Sequence, residues 1–255
     1  MMWELYERLI EPIPDDVPVD EILVGTSCTM VRAGGAAGAA ANQRLESRPR
    51  ILGEGEWEQE LTWRQAASLI NSWNFLEAGI GAAAINAYYN RKDVLMNGIA
   101  AYEGVKILES CDTFAAPGDG FAGKKVATIG HFHYAERYLK TAGELFVLER
   151  EPREGDYPDT ACEYILPDMD YIYITGFTLV NKTLPRLLEL GKNARVVLVG
   201  PSVPMAPVLF EFGVRELAGT LITDTEKTER LVRFGSHRAV VLSLIHISEP
   251  TRPEP

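Results

Sequence analysis

Lys124-Lys125-Val126-Ala127-Thr128-Ile129-Gly130 is a short apolar run that ends in glycine, and its form recurs down the chain. Residues 145–149 (LFVLE), 171–176 (YIYITG) and 195–200 (RVVLVG) repeat it, and 220–224 (TLITD) reads as a final strand. Helical stretches fill the intervals. One runs through Tyr138, one covers 159–165, one covers 183–190 and is stopped by Gly191, and one opens with Pro204 and Pro207 and is ended by Gly213. Continuous apolar strands that alternate with helices at a spacing of roughly 20–25 residues predict right-handed βαβ units, hence a parallel, doubly wound sheet. The fold class is α/β.

Upstream the rhythm differs. A helix is expected over 3–10, a strand over 21–32, helices from Thr62 onward and a third helical stretch over 99–109. The glycine- and alanine-rich segment 33–42 (AGGAAGAAAN) lacks the Lys or Ser/Thr that a phosphate cradle carries, and is read as a flexible hairpin connection. Ala82, Ala83, Ala84 and Ala87 would let another backbone approach their helix closely. Strands followed by helices make an α+β unit, and 111–123, with Pro117-Gly118-Asp119-Gly120, has the turn residues of a linker. The expected domains are 1–115 and 122–241.

The 255 residues are 46% apolar and 24% charged, the balance of a chain that folds around a core. Lys and Arg number 25 against 36 Asp and Glu, a net charge of −11, which argues against nucleic acid as a partner. No apolar stretch reaches the ~18 residues of a membrane span, and acidic residues stand near the start where a signal peptide would be basic. The expectation is a cytoplasmic protein without membrane insertion. Cys28, Cys111 and Cys162 form no C-x-x-C pair, so reduced thiols are expected. From Leu242, the sequence LSLIHISEPTR resembles a translated sequencing adapter. Residues 242–255 are therefore expected to be an artefact that packs poorly and replaces the native C-terminus.

In a parallel sheet, ligands bind beyond the carboxyl ends of the strands. That rule selects Gly130, His131, Glu149, Thr175, Gly176, Asn181 and Ser202 as residues around one cleft, with His131 and Glu149 as the catalytic candidates. Glu149 follows Gly130 by 19 residues, near the ~20-residue offset of a ribose-binding carboxylate. The first turn reads G-H-F-H-Y-A rather than G-x-G-x-x-G, which disfavours a dinucleotide and leaves a nucleoside without a diphosphate open. His131 and His133 have no carboxylate or Cys at a standard ligand spacing, so no metal ligands are assigned. The loop 149–158 carries Arg150, Arg153 and several acids, and by default is a solvated charged loop. No G-x-S-x-G elbow surrounds Ser202, which disfavours a serine nucleophile.

Taken together, residues 77–87 (EAGIGAAAINA), 123–132 (GKKVATIGHF), 148–158 (LEREPREGDYP), 175–184 (TGFTLVNKTL) and 200–204 (GPSVP) resemble one family, the heavy-metal chelation proteins first catalogued as a domain of unknown function. The resemblance implies an α+β domain like the N-terminal domain of enolase, then a Rossmann-like domain, with a candidate site in the cleft between them. Glu77 and Asn86 of the first domain join the ligand-binding candidates on this ground. Enolase chemistry does not carry over, because that active site belongs chiefly to a barrel absent here. Three functions stay open: a metal-homeostasis protein binding or processing a small chelator-like molecule, a non-catalytic binder of a small ligand or metal chelate, and a methyltransferase-like enzyme with a nucleoside cofactor. The cofactor is unknown, and a homo-oligomer is left open.

Overall fold

From residue 125 onward the apolar runs at 125–129, 145–149, 171–175 and 195–199 form the expected strands, and those at 125–129, 171–175 and 195–199 are buried at their centres. The computed structural model describes residues 3–42, 49–53, 60–100, 106–109, 114, 121–132, 135–235 and 244–248. The first part opens with α1 (Glu4–Ile10) and an antiparallel meander of β1 (Val19–Val24), β2 (Cys28–Ala33) and β3 (Ala36–Ala41), followed by α2 (Trp63–Ser68), α3 (Phe75–Tyr89) and α4 (Lys92–Ala100). Then come β4 (Lys106–Glu109), β5 (Lys125–Ile129), α5 (Glu136–Leu139), β6 (Glu144–Glu149), β7 (Tyr157–Pro158), α6 (Cys162–Ile165), β8 (Tyr171–Thr175), α7 (Phe177–Val180) and α8 (Leu184–Leu190). β9 (Arg195–Val199), β10 (Val214–Thr220), α9 (Thr225–Arg233) and β11 (Leu244–Ser248) complete the described order.

The large sheet runs β4-β11-β10-β9-β8-β5-β6-β7. Six of these, β7-β6-β5-β8-β9-β10, are parallel and stand in the 3-2-1-4-5-6 order of a doubly wound fold. The order reverses between β5 and β8, so a crevice opens where those two strands end. The α/β class, with a small antiparallel sheet ahead of a parallel one, is as the sequence predicts.

Several local expectations are corrected. The single strand over 21–32 is a hairpin, β1 and β2, and at Gly25, where the turn begins, a Cβ would stand 2.7 Å from the carbonyl of Val232. The segment 33–42 is a strand and not a flexible connection: Gly34 and Gly35, both at positive φ, make the two-residue turn, and β3 pairs with β2 throughout. Alanine and glycine are poor strand formers, but here their size is the reason for the strand. A Cβ on Gly38 would lie 2.0 Å from the backbone nitrogen of Ala87 and 2.4 Å from the carbonyl oxygen of Ala83, so α3 packs on β3 backbone to backbone. Gly81 gives α3 the same closeness to Ile70.

The helix expected over 99–109 stops at Ala100, and 106–109 pair with β11 as a strand. The last parallel strand is 214–220 rather than 220–224, because Glu216 in the charged run VREL is neutralised by Arg195 on β9. Of the expected linker, Phe114 and Phe121 are described and both are fully buried, packed on Tyr173. Of the tail, residues 244–248 do not pack poorly: β11 lies between β10 and β4, antiparallel to both, with Ile247 fully buried. Strand addition asks only for backbone hydrogen bonds and an alternating apolar pattern, which LIHIS supplies whatever its origin. Residues 249–255 lie outside the described residues.

The two parts share one core. Leu5, Leu9, Trp63 and Ile80 belong to the same buried cluster as Leu179, Leu198 and Leu209. Asn86 Nδ2 donates to the carbonyls of Ala39 and Pro201, and Asn90 Nδ2 to those of Val203 and Thr220, while Asn90 Oδ1 accepts from Met205 N. Among the described residues no helix is long and apolar enough to cross a membrane.

Gly38→Ala is expected to cost about 3 kcal/mol in denaturant unfolding, since backbone on both sides must move. Gly35→Ala, whose Cβ meets nothing within 4 Å, should cost only the ~1–2 kcal/mol of a left-handed alanine. Deleting 242–255 exposes the β10 edge and removes Ile247 from the core. A fall in melting temperature of about 5 °C is expected in calorimetry, at roughly 2–4 °C per kcal/mol for a chain of this size.

Candidate active site

The crevice at the β5–β8 switch point is a cavity of about 670 Å³, within the usual range for small-molecule sites. Its floor is the ends of β5, β6 and β8, its sides are α6, α7 and α8, and Ala41 and Asn42 at the end of β3 bring the first part of the chain to its rim. Apolar groups such as Phe132, Phe177, Leu187 and Leu190 line it together with a small set of polar ones.

Five sequence-predicted residues meet there: Gly130, His131, Glu149, Thr175 and Asn181. Gly130 ends β5 at φ 107°, a conformation that frees the next residue to turn into the crevice. His131 Nε2 lies 2.7 Å from Asp156 Oδ2. Asp156 also accepts from Arg153 N, and that backbone bond first, then the His131 contact, holds its carboxyl below the usual carboxylate range. The expected solvated loop 149–158 is thus folded back on His131, and Asp156 orients the imidazole as a carboxylate orients a catalytic histidine.

Glu149 has a role that neither sequence reading covers. Its Oε1 accepts from His131 N at 2.9 Å and its Oε2 from Arg150 N at 3.2 Å. The N–H after the first strand is one that dinucleotide folds offer to a pyrophosphate. Here an internal carboxylate takes it. Arg150 pairs instead with Asp159, 3.4 Å away.

The other candidates stand off the cavity. Gly176 binds Val199 O through its N–H and lies against Val203, where a Cβ would come within 2.7 Å. Ser202 Oγ accepts from Ala41 N, tying β3 to the β9 turn. Glu77 is fully buried, accepting from Ile51 N, Leu52 N and Ser72 Oγ. Asn86 spans the two parts as described, and His133 lies outside the described residues.

Sequence reasoning missed Asp156, Arg186 and Lys182. Arg186 holds Glu163 bidentately, at 2.9 and 2.6 Å, and Glu189 at 2.9 Å, and it keeps the Glu163 carboxyl below its ordinary range. Lys182 was within reach as the residue after Asn181 in the TGFTLVNKT motif, but nothing in sequence shows its left-handed backbone.

A directly bound heavy metal does not fit these donors. Among the described residues no group of three His, Cys, Asp or Glu is arranged to hold an ion. Burial first, then Asp159 and Glu163, push the Cys162 thiol up to about 11, away from the thiolate that a soft metal needs.

Two family models match the chain, DUF4213 over residues 6–89 and DUF364 over 112–242, and both carry the description "Putative heavy-metal chelation". A crystal structure of a DUF364 protein of unknown function from Desulfitobacterium hafniense is 41% identical, with a TM-score of 0.85 over 98% of this chain and 99% of that one. A DUF364 protein of unknown function from Pyrococcus horikoshii is 25% identical, with a TM-score of 0.77 over the same shares. An uncharacterised protein of Methanocaldococcus jannaschii is 33% identical over 179 residues, which cover 64% of its length.

Asp156→Asn is expected to lower the melting temperature at pH 7, because the charge facing His131 is lost. A carboxyl whose folded pKa is depressed contributes fully above its unfolded value of about 4 and loses that contribution as pH falls through the lower folded value. The gap between wild type and Asp156→Asn should therefore close as calorimetry is carried from pH 5 toward pH 2.5.

Proposed function

This chain belongs to the DUF364 heavy-metal chelation family, and from that premise we propose that it binds a small organic chelator, or the metal chelate, in the cavity at the β5–β8 switch point. One observation carries the reading: a largely apolar cavity with a small set of polar groups lies where a doubly wound sheet takes its ligand, and among the described residues no group of three His, Cys, Asp or Glu could hold a metal there. The metal would then be held by the small molecule, and the protein would hold the small molecule. Glu149, His131 and Thr175 would contact its polar groups, with Phe132 and Phe177 covering its apolar surface. The place of work would be the cytoplasm.

The His131–Asp156 pair favours a second reading, an enzyme that processes the chelator by moving a proton at it. A methyltransferase-like enzyme is supported less well. The turn after β5 reads G-H-F-H and not a glycine-rich sequence.

Melting temperatures with nickel(II) alone, citrate, nickel(II) citrate and S-adenosylmethionine separate these readings. The chelator or its complex at 100 times Kd should stabilise by about 2.7 kcal/mol, and bare nickel(II) should not. Leu190→Trp, which fills the cavity from its rim, should abolish the shift while leaving the unliganded transition in place. Equal stabilisation by nickel(II) alone would overturn the proposal, and a response to S-adenosylmethionine alone would replace it with the methyltransferase reading.

A further inference from the structure

Resting on the cavity reading above, we infer that Lys182 selects the ligand's charge: its ammonium, held on a left-handed backbone and anchored across both parts of the chain, receives a carboxylate or comparable anionic group of the chelator.

Lys182 is the only non-glycine residue at positive φ among the described residues, at 68°. Long side chains rarely adopt that region, so the loop must hold it there. It does so through Asn181, whose Oδ1 accepts from both the N–H and the hydroxyl of Thr183, at 3.1 and 2.6 Å. The strained backbone puts the ammonium at the boundary of the two parts. Nζ donates to Ser72 O, from the first part, and to Val180 O, from the second, both at 2.7 Å, and stands 5.9 Å from the centre of the half-exposed Trp73 ring.

An ammonium has three donors, and two are committed to these carbonyls. The contrast with the other cations of the cavity wall decides the matter. Arg150 has Asp159, and Arg186 has Glu163 and Glu189, whereas no carboxylate lies within 4.0 Å of Lys182 among the described residues. A half-buried cation with a spare donor and no carboxylate partner among the described residues, on a residue that lines the cavity, lacks an anion that a ligand can supply. Burial lowers its pKa to about 8, so the charge that recognises the ligand is lost within an accessible range. The titratable and charged groups of the same wall are His131, Glu149, Arg150, Asp159, Cys162, Glu163 and Arg186.

The test is calorimetric titration of citrate, fully ionised throughout, into wild type, Lys182→Gln and Lys182→Arg between pH 7.5 and 9.5, beside the neutral chelator 1,10-phenanthroline. Wild type should bind citrate and not phenanthroline, with Kd rising about 25-fold across the range as the ammonium loses its proton at about 8. Lys182→Gln should bind at least tenfold more weakly at pH 7.5 and without that pH dependence, and Lys182→Arg should bind with a flat profile. Citrate binding in Lys182→Gln equal to wild type, or phenanthroline bound in place of citrate, would overturn the role of Lys182 and leave the cavity reading standing. Binding of neither chelator would overturn both. Should Lys182→Gln not fold, the wild-type profile decides: a Kd constant through pH 9.5 overturns the inference.

Discussion

Helix α3 and strand β3 meet backbone to backbone at Gly38, and the seating of the first part of the chain on the parallel sheet depends on that approach. Gly38 removes the Cβ that would stand in the way, Gly81 does the same where α3 meets Ile70, and the alanines of α3 keep the surface flat. Close approach in turn brings the side-chain amides of Asn86 and Asn90 within reach of carbonyls on both parts of the chain, including Pro201, Val203 and Thr220. Buried amides with fixed partners tolerate little sliding, because each lost bond leaves an unsatisfied group costing about 1–3 kcal/mol. The antiparallel meander is thereby held in one position against the parallel sheet. The end of β3, tied by Ala41 N to Ser202 Oγ, arrives at the rim of the cavity.

Within that frame the crevice departs from the dinucleotide pattern in one consistent way. A fold of this strand order offers the N–H groups after its first strand to a phosphate. Here Glu149 takes the first of them with its own carboxylate, and Asp156 takes Arg153 N and the imidazole of His131. Negative charge from the protein thus occupies the β5–β6 side. The opposite side, where α7 ends, carries Lys182 without a carboxylate partner among the described residues. On the proposed reading, a cavity polarised in this way discriminates by charge and orientation, while its apolar walls supply most of the contact area.

The legible part of this protein was whatever depends on local pattern. Apolar runs ending in glycine at 125–130, 171–176 and 195–200 declared the parallel sheet, since a strand buried on both faces must be apolar throughout. Once the strands were known, the rule that ligands bind beyond their ends was enough to bring Gly130, His131, Glu149, Thr175 and Asn181 to one place. Where the pattern is ambiguous the reading slipped. Alanine and glycine at 36–41 have no strand propensity of their own, and β4 and the start of β10 are strands because neighbours pair with them and neutralise Glu216.

Sequence by itself determined the α/β class, the order of the parallel strands' segments and the set of residues at their ends, because these depend on spacing along the chain. Only the tertiary structure decided which of those residues share the cavity and what each one touches. Glu77 and Asn86 became buried braces, Glu149 closed on the turn beside it, and Asp156 and Lys182 entered from loops whose composition resembles any solvated loop. The physical reason is that a side chain's partner is set by distances across the fold. Those distances were fixed here by the backbone contact of Gly38 with Ala83 and Ala87, residues 45 and 49 positions further along the chain.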